Sequence, residues 1–386
     1  MTTRAPSGSD SRARTAFILI SGSGVGGAEK RFVRTFLHLQ RDDDSYHLIL
    51  NQGLHDALLE LGFGLEGNRN VKVLRHSLGP MSDPRRRKLY MLLYPWQCLQ
   101  IALASNIQTV HLLGSGVYIG FPYAAVSRFR PGFRIVVSIY DVAVDQTVSR
   151  LTRPLFRFML RRADAIDLLS DDIRDRLVES RYNAGGQLAG KLHVMPCSFA
   201  DYRGFEAREP RPDRVTFLGR LEAIKRPLLF VDAMPGILRR HPGTEFQILG
   251  RGPLEEAIRQ RIAELGIADR VTVRFATAPQ EYLSRSKIFV SLQHDNNYPS
   301  QSLLEAMACE NAVVATDVGE TWKLVNDDTG LRVAADSDSV ARAIGDLLDD
   351  PERLARLGRG ARRLVTTEHT IERAAAHLRD LHLGRL

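Results

Sequence analysis

Short apolar runs alternate with amphipathic stretches along most of this chain of 386 residues. The runs are rich in Val, Ile, Leu and Phe, and the stretches between them repeat apolar residues at helical spacing. Strands that alternate with helices are typical of α/β domains with parallel sheets. In the first half we expect strands at 16–21, 46–51, 71–74, 109–113, 135–139, 165–169 and 192–195, and helices beginning near Ala28, Pro84, Gly120, Arg153 and Asp171.

The same alternation restarts after residue 213. The segment 207–213 places two prolines among charged residues, which disfavours regular structure and indicates a linker. We therefore expect a disordered tail at 1–14, α/β domains at 15–208 and 209–365, and a C-terminal helix at 366–386 that can pack back on the first domain. Second-half strands are expected at 215–218, 245–249, 271–275, 288–292 and 312–316, with helices from Pro227 and Pro253 and over 337–348 and 351–365.

Charge and cysteine usage narrow the class of protein. The 53 basic and 45 acidic residues give a net charge of +8, which suits an anionic partner such as nucleotide phosphates, an anionic membrane or nucleic acid. Cys98, Cys197 and Cys309 are far apart and form no CxxC pair, so neither a zinc ribbon nor a disulfide framework is indicated. No apolar run is long enough for a membrane span. We expect a cytoplasmic protein, with peripheral contact at the inner face of the membrane left open.

The segment from Asn297 to Ala308 is a polar loop that leads directly into an apolar helix. The free N–H groups at a helix start, together with the positive end of the helix dipole, suit a bound phosphate. Glu305, one turn inside, could accept hydrogen bonds from the hydroxyls of a ribose or sugar. The spacing Ser302-x-x-Glu305 also fits a capping box, in which Glu305 bonds only the Ser302 N–H. Both roles remain open.

A glycine-rich loop, 22–27, follows the first strand and contains the pattern G-x-G-x-x-G. A dinucleotide-binding site would need an acidic residue at the end of the next strand, and Asn51 stands there instead. This absence disfavours an NAD-dependent dehydrogenase. Gly26 and Gly27 could still let the backbone approach a phosphate or sugar. The alternative is a turn that binds no ligand.

A basic loop follows the first strand of the second half. Arg220 and Lys225, after Gly219, would project from the strand end toward a ligand. Together they could neutralise a diphosphate and stabilise it as a leaving group, as a metal ion does in other enzymes. The alternative is a basic loop in contact only with solvent.

Three of these features, in this order along the chain, resemble a known family. They are the run from Gly26 to Lys30, Gly219-Arg220 followed by Lys225, and the run from Pro299 to Ala308. The combination resembles family 4 of the retaining glycosyltransferases, and the agreement extends from about residue 15 to the C-terminus. The resemblance implies a GT-B fold, in which two Rossmann-like domains face each other across a cleft. It also implies that the second domain binds a nucleotide-sugar and the first an acceptor.

The resemblance assigns a role to each matched position. Arg220 and Lys225 would hold the donor diphosphate and Glu305 the donor ribose, as the catalytic set. No cofactor is expected, because the nucleotide-sugar is itself a substrate, and the resemblance implies that no metal is needed. The donor-binding positions would be Gly26, Gly27, Gly219, Gly250, Arg251, Gly252, Asn297, Ser300, Gln301 and Ser302, and the acceptor or sugar side would hold Tyr140 and Asp141.

The chain departs from the family pattern at three places. Asn297 replaces the first glutamate of the E-x7-E motif and cannot supply negative charge to a transition state. Pro299 stands where relatives favour glycine and removes one backbone donor. Tyr140 precedes Asp141 where many relatives have histidine. These changes indicate either an unusual donor sugar or lost activity.

Two basic segments of the first half could meet a membrane. The segment from Arg85 to Trp96 mixes four positive charges with aromatic residues, and Arg153, Arg157 and Arg161 recur at a spacing that lines one helix face. Such surfaces suit an anionic membrane that presents a lipid-linked acceptor. The alternative is a solvated basic face. No nucleic-acid-binding signature is present, so nucleic acid is not expected as a partner.

The sequence thus predicts a retaining, metal-independent hexosyltransferase that uses a nucleotide-sugar donor and a hydroxyl acceptor. A glycan or lipid-linked acceptor in surface polysaccharide or glycolipid biosynthesis fits the family and the basic surfaces. Two alternatives remain, a non-catalytic GT-B homologue that acts as a nucleotide- or membrane-binding scaffold, and a sugar-nucleotide epimerase.

Overall fold

The computed structural model of the protein describes residues 13–20, 25–74, 84–114, 119–140, 153–196 and 198–386, apart from the side chains of 84–92. Most of the predicted tail 1–14 lies outside these ranges. The chain packs into two compact units. One contains the described residues up to Met195 together with Ala375–Leu386, and the other is Pro196–Ala374.

The first unit is built on a parallel sheet of seven strands in the order β3-β2-β1-β4-β5-β6-β7. Apolar side chains project from both faces of the sheet and pack against the helices, as in a parallel sheet that is covered on both sides. The strands are β1 Thr15–Leu19, β2 Tyr46–Asn51, β3 Val71–Leu74, β4 Thr109–Leu113, β5 Arg134–Ile139, β6 Ala165–Leu168 and β7 Leu192–Val194. The helices are α1 Gly27–Asp42, α2 Gln52–Glu60, α3 Pro84–Ala104, α4 Phe121–Phe129, α5 Arg153–Arg162 and α6 Asp171–Glu179.

The second unit repeats the plan with six parallel strands in the order β10-β9-β8-β11-β12-β13. Its core also lies on both faces of the sheet. The strands are β8 Arg214–Leu218, β9 Glu245–Leu249, β10 Val271–Arg274, β11 Ile288–Ser291, β12 Ala312–Thr316 and β13 Gly330–Val333. The helices are α7 Pro227–Arg240, α8 Glu255–Glu264, α9 Gln280–Leu283, α10 Gln301–Ala308, α11 Ser337–Asp349, α12 Pro351–Glu368 and α13 Ile371–Leu383.

The alternation of strands and helices was predicted correctly, and each expected strand is present to within a residue or two. The prediction missed α2, which begins directly after β2 with no side-chain cap to mark its start. It also missed β13, whose first residue is Gly330. Glycine disfavours strands in general, but a Cβ here would lie 2.1 Å from the Val313 carbonyl oxygen, so only glycine allows this strand to approach β12.

The division between the units differs from the expected boundary at 208. Residues 198–208 are irregular or form single turns, and they bond to the second unit. The Ser198 N–H donates to the His369 carbonyl, and the Arg208 N–H donates to the Ser284 carbonyl at 2.8 Å. The proline-rich segment 207–213 therefore lies inside the second unit. The point at which the chain passes from the second unit back to the first lies within α13, between Ala374 and Ala375, and not at residue 365.

Candidate functional site

The predicted donor residues of the second unit follow two strands that lie side by side. β8 and β11 pair in parallel, with Val215 opposite Ile288. The strand order reverses between them, and open parallel sheets bind ligands at such a reversal, beyond the carboxyl ends of the strands. The His294 N–H donates to the Ile224 carbonyl at 2.9 Å, which connects the loops that follow the two strands. The fold thus brings Arg220, Lys225 and the start of α10 to the same edge of one sheet.

Lys225 is half-buried at this edge, and the sequence analysis missed the side chain that holds it. Its Nζ donates to Oε1 of Gln293 at 2.8 Å. Gln293 is fixed in turn, because its carbonyl accepts a hydrogen bond from the Thr316 hydroxyl at 2.7 Å. Burial, and then the positive charge of Arg220, lower the pKa of Lys225 to about 8, against an opposing effect of Glu222. A bound anion would favour the charged ammonium and raise this pKa again.

Arg220 occupies the exposed end of the same loop. Its side chain is 70% exposed, and Nη1 lies 2.8 Å from Oε1 of Glu222. Exposed ion pairs of this kind contribute about 0–1 kcal/mol, so Arg220 can exchange Glu222 for a phosphate at little cost. The loop itself is anchored at its start, because the Gly219 N–H donates to the Leu249 carbonyl at 3.0 Å.

Helix α10 begins at Gln301, and Ser300 is its N-cap in extended backbone. No side chain caps this end, so the capping box that would use Ser302 as N-cap is not formed. Ser302 is inside the first turn, and Glu305 is one turn inside the helix, as the sequence analysis expected. The N–H groups of the first turn have no intrahelical acceptor and carry the positive end of the dipole. This end of α10 therefore suits a phosphate.

The side chain of Gln301 is engaged inside the second unit. Its Oε1 accepts from the Phe199 N–H at 3.3 Å, and its Nε2 donates to Oγ of Ser198 at 2.9 Å. The same Nε2 donates to Oε1 of Glu305 at 2.9 Å. Gln301 thus orients the Glu305 carboxylate. Because its side chain is engaged, the group of Gln301 that fits the expected binding of the nucleotide-sugar is its backbone N–H.

The loop ahead of α10 is held by a residue that the sequence analysis did not select. Oδ1 of Asn296 accepts from the backbone N–H groups of Tyr298 and Glu320, both at 3.2 Å. Tyr298 is buried in the core next to this loop. Asn297, by contrast, is half-buried, and its amide makes no hydrogen bond within the part of the chain that the structure describes. Asn297 is therefore not used to hold the loop.

Gly250 and Gly252 have a packing role at this edge. A Cβ at Gly250 would lie 1.9 Å from the Gly219 carbonyl oxygen, and one at Gly252 would lie 2.5 Å from that of Leu221. The glycines therefore let the loop after β9 pack directly against the loop that carries Arg220. Between them Arg251 is exposed, and its guanidinium lies 4.0 Å from the centroid of the Phe275 ring.

The first unit places Gly26 and Gly27 at the start of α1. Gly26 is the N-cap, and its N–H donates to Oε2 of Glu29 at 2.9 Å. A Cβ at Gly26 would lie 3.0 Å from that oxygen, whereas a Cβ at Gly27 would meet nothing within 4 Å. Packing within the protein therefore does not require glycine at position 27, whereas close approach of a ligand to the backbone would. The preceding residues 21–24 lie outside the described ranges.

Tyr140 follows β5 and is half-buried, at the carboxyl edge of the first sheet. Its hydroxyl donates to Oδ2 of Asp167 at 2.9 Å, a partner on β6 that no local motif indicated. The guanidinium of Arg31 lies 5.6 Å from the centroid of its ring. Asp141, the second residue expected on this side, lies outside the described residues.

The basic and aromatic surfaces of the first unit are described in part. The side chains of 85–92 lie outside the described residues, whereas Trp96 is 53% and Phe129 82% exposed. These two side chains, with Leu103, Phe121 and Arg130, help to line an apolar groove of about 350 Å³. The Arg153, Arg157 and Arg161 side chains of α5 are half-buried. Among the helices in the described ranges, none has the length and apolar character needed to span a membrane.

Comparison with known proteins gives matches over both units. Residues 26–197 match the glycosyl transferase 4-like domain, and residues 212–350 match the glycosyl transferases group 1 model. The chain is 27% identical over 294 residues to an alpha-D-kanosaminyltransferase of Streptomyces kanamyceticus, covering 70% of this chain and 75% of that protein. It is 28% identical over 273 residues to a GDP-mannose-dependent alpha-(1-6)-phosphatidylinositol monomannoside mannosyltransferase of Mycolicibacterium smegmatis, covering 65% and 70%.

A solved structure supports the fold assignment. Anabaena HepE, crystallised with UDP and glucose, superposes with a TM-score of 0.73 at 17% identity and covers 97% of this chain and 100% of its own. Likeness at this level of identity concerns the fold alone. The two family matches span most of residues 26–350, and both units have the parallel sheets that the fold requires. The chain belongs to the glycosyltransferases of the family 4 type, with a GT-B fold.

Proposed function

We propose that this glycosyltransferase moves a hexose-type sugar from a nucleotide-sugar to a hydroxyl acceptor, with retention at the anomeric carbon. The observation that carries the proposal is the position of Arg220, Lys225 and the uncapped start of α10 at the β8 and β11 strand ends. All three present positive charge to the same region, as a diphosphate requires. A relative that uses GDP-mannose and a neighbour that binds UDP support this donor class.

The two basic side chains would act on the leaving group. Lys225 is held by Gln293 near the strand ends, and exposed Arg220 would close on the diphosphate from the loop. Their charge would stabilise the nucleoside diphosphate as its bond to the sugar breaks. We propose that no metal ion is needed for this step. The initial rate in excess EDTA should equal the rate with added magnesium, and a large loss would contradict this part.

Glu305 and the acceptor complete the proposed reaction. The carboxylate of Glu305, oriented by Gln301, would accept hydrogen bonds from the ribose hydroxyls. The acceptor hydroxyl would attack on the face that the diphosphate leaves, and a phosphate oxygen would take its proton. No protein nucleophile is assigned. Retention can be checked by the anomeric coupling constant of the product in proton NMR, because an inverted product would exclude this course.

Donor binding can be tested first, without knowledge of the acceptor. The melting temperature should rise with UDP or GDP and with their glucose or mannose conjugates, because a ligand that binds only the folded state stabilises it. Release of nucleoside diphosphate from UDP-glucose or GDP-mannose would then show turnover. A protein that no nucleotide stabilises would overturn the proposal, and donor binding without any release would favour a scaffold. Conversion of the donor sugar without release would favour an epimerase.

Variants of the two basic residues test the site itself. Arg220→Ala and Lys225→Met should each weaken donor binding by about tenfold or more, because each removes a charge-assisted contact of about 1.5–3 kcal/mol. Arg239→Ala is the matched control. Arg239 is an exposed arginine in the last turn of α7, at the opposite edge of the same sheet. Equal effects at Arg220 and Arg239 would show that net charge, and not this site, governs binding.

We also propose that the acceptor is lipid-linked and is met at an anionic membrane surface through the first unit. The exposed Trp96 and Phe129, the groove between α3 and α4, and the basic start of α3 support this. The protein should sediment with phosphatidylcholine–phosphatidylglycerol vesicles, and less with phosphatidylcholine alone. Trp96→Ala should reduce binding, whereas Trp322→Ala, an equally exposed tryptophan of the second unit, should not. Equal losses would contradict the proposed face.

A further inference from the structure

A row of buried polar residues crosses the otherwise apolar sheet of the first unit. His111 on β4, Ser138 on β5 and Asp167 on β6 are each at most 3% exposed, and Ser138 and Asp167 are register partners. His377 and His382 of α13 approach the same row. Burying polar groups costs free energy unless they bond one another. The mechanism proposed above uses none of these five residues.

The hydroxyl of Ser138 determines the direction of the hydrogen bonds along this row. The Ser138 hydroxyl has one hydrogen and donates it in a hydrogen bond to Oδ2 of Asp167, at 2.7 Å. Nε2 of His111, also 2.7 Å from Oγ of Ser138, must therefore be the donor of that pair. Burial lowers the pKa of His111 to about 4, so at neutral pH its Nδ1 is an acceptor. Nε2 of His382, 2.9 Å away, then donates to it.

Asp167 is the acceptor at the end of this chain of donors. Burial acts to raise the pKa of its carboxyl, but His377, Ser138 and His111 outweigh that effect and hold the pKa below its ordinary value. Nε2 of His377 lies 3.2 Å from Oδ1, without the geometry of a directed hydrogen bond. The ionised carboxylate can only accept. The Tyr140 hydroxyl, 2.9 Å from Oδ2, must therefore donate to it.

We propose that Asp167 is the positioning residue for Tyr140, and that by accepting the hydrogen bond of the Tyr140 O–H it leaves the phenol oxygen able only to accept a hydrogen bond from a substrate hydroxyl. The inference rests on the proposed function and on the family resemblance, which implies that Tyr140 is on the acceptor or sugar side. It deepens that function by specifying the partner, a hydroxyl of the sugar or the acceptor that donates. Histidine, the residue of many relatives, could offer either a donor or an acceptor at this place.

A double-mutant cycle tests the coupling. Tyr140→Phe and Asp167→Asn should each lower kcat/KM for nucleoside diphosphate release from UDP-glucose or GDP-mannose by about tenfold, the effect of one lost hydrogen bond to a polar partner. In the Tyr140→Phe background, Asp167→Asn should cost no more than about twofold further. Equal factors in both backgrounds would overturn the inference, because Asp167 would then act independently of Tyr140.

Ser138→Ala is the matched control, because Ser138 donates to the same carboxylate oxygen as Tyr140. It should lower the melting temperature but leave kcat/KM within about twofold of the wild type, since it keeps the pair of Tyr140 and Asp167. A loss as large as that of Tyr140→Phe would show that Asp167 acts through stability alone and would overturn the inference.

The direction of the chain can be read without activity. Nitrogen-15 NMR at pH 7 should find both His111 and His382 protonated at Nε2 and unprotonated at Nδ1. Protonation at Nδ1 of His111 would show that Ser138 donates to His111 and not to Asp167, which would contradict this part of the inference. A wild-type protein that releases nucleoside diphosphate from neither donor would count against the proposed function, and the tautomers would still decide the direction of the bond between His111 and Ser138.

Discussion

Lys225 carries its ammonium in surroundings that disfavour the charge. Its hydrogen-bond acceptor, Gln293, is neutral, and Arg220 of the same loop adds a second positive charge. Burial and Arg220 lower its pKa to about 8 from an ordinary 10.5. A bound diphosphate supplies the opposite charge and would restore the preference for the ammonium. At the proposed donor site, binding of the diphosphate and protonation of Lys225 would therefore be coupled.

This coupling predicts a pH dependence of donor affinity. Below pH 8 the free protein already carries the ammonium, and affinity for UDP or GDP should be nearly constant. Above pH 8 the lysine must take up a proton on binding, so the dissociation constant should rise with a limiting slope of about tenfold per pH unit. Isothermal titration calorimetry at pH 7, 8, 9 and 9.5 measures it.

Two variants of Lys225 separate this effect from other titrations. Lys225→Arg keeps a charge that is not lost in this range, so its affinity should stay level between pH 7 and 9.5. Lys225→Met should bind weakly at every pH. If the affinity of Lys225→Met falls with pH as steeply as that of the wild type, another group carries the dependence.

Sequence patterns selected the basic residues of this candidate site but not the side chains that they contact. Arg220 and Lys225 follow a predicted strand end, so their place at the sheet edge could be inferred from local order alone. Gln293 lies on another strand end and contacts Lys225 only because β8 and β11 are neighbours. The pairing of Tyr140 with Asp167 depends in the same way on the neighbours β5 and β6. Strand order is a long-range property that no single sequence motif encodes.

At the scale of elements, the position of the Arg220 loop depends on how closely two strand-end loops pack. The Leu221 N–H donates to the Arg251 carbonyl at 2.9 Å, and the Leu254 N–H donates to the Leu221 carbonyl at 3.0 Å. Gly250 and Gly252 allow these contacts, because any side chain there would meet backbone oxygen. The sequence analysis assigned the same glycines to donor binding, and their packing role was found only in the fold.

Adding a methyl group at these glycines should disturb the site through the loop. Gly250→Ala and Gly252→Ala should destabilise the second unit by about 1–3 kcal/mol, the usual cost of overpacking, and weaken UDP or GDP binding as the Arg220 loop shifts. Gly243→Ala is the control, because a Cβ there would meet nothing within 4 Å. Urea unfolding and calorimetry measure the two effects. Unchanged stability of Gly252→Ala would contradict the packing argument.

Elements with strong periodicity were predictable, and those defined by tertiary contact were not. The apolar runs of β2, β4, β9 and β12 matched the observed strands residue for residue. Helix α2 is only nine residues long, follows β2 directly and has no capping side chain, so the sequence gives no clear signal for its start. A capping box with Ser302 as N-cap would start α10 at Leu303, whereas the observed helix begins two residues earlier, at Gln301, and has no side-chain cap.

At the scale of the molecule, α13 belongs to both units. It begins in the second unit and enters the first at Ala375. There Ala375, Leu378 and Leu381 join the core on one face of the sheet. The same segment carries His377 and His382, which complete the buried polar row at His111 and Asp167. The first unit is therefore assembled from two parts of the chain that are distant in sequence.

Removal of 375–386 should consequently destabilise the first unit and leave the second largely intact. The loss of buried Leu378 and Leu381 alone should cost about 2–5 kcal/mol each, and His111 would lose its donor. The chain's two tryptophans report the units separately, Trp96 for the first and Trp322 for the second. In single-tryptophan variants, fluorescence of Trp96 should change at a lower temperature after truncation, while that of Trp322 changes where it did before. Deletion of only the exposed Arg385 and Leu386 is the control and should alter neither transition. If the Trp96 transition is the same in the truncated and the full-length chain, the C-terminal residues are not part of the first unit's core.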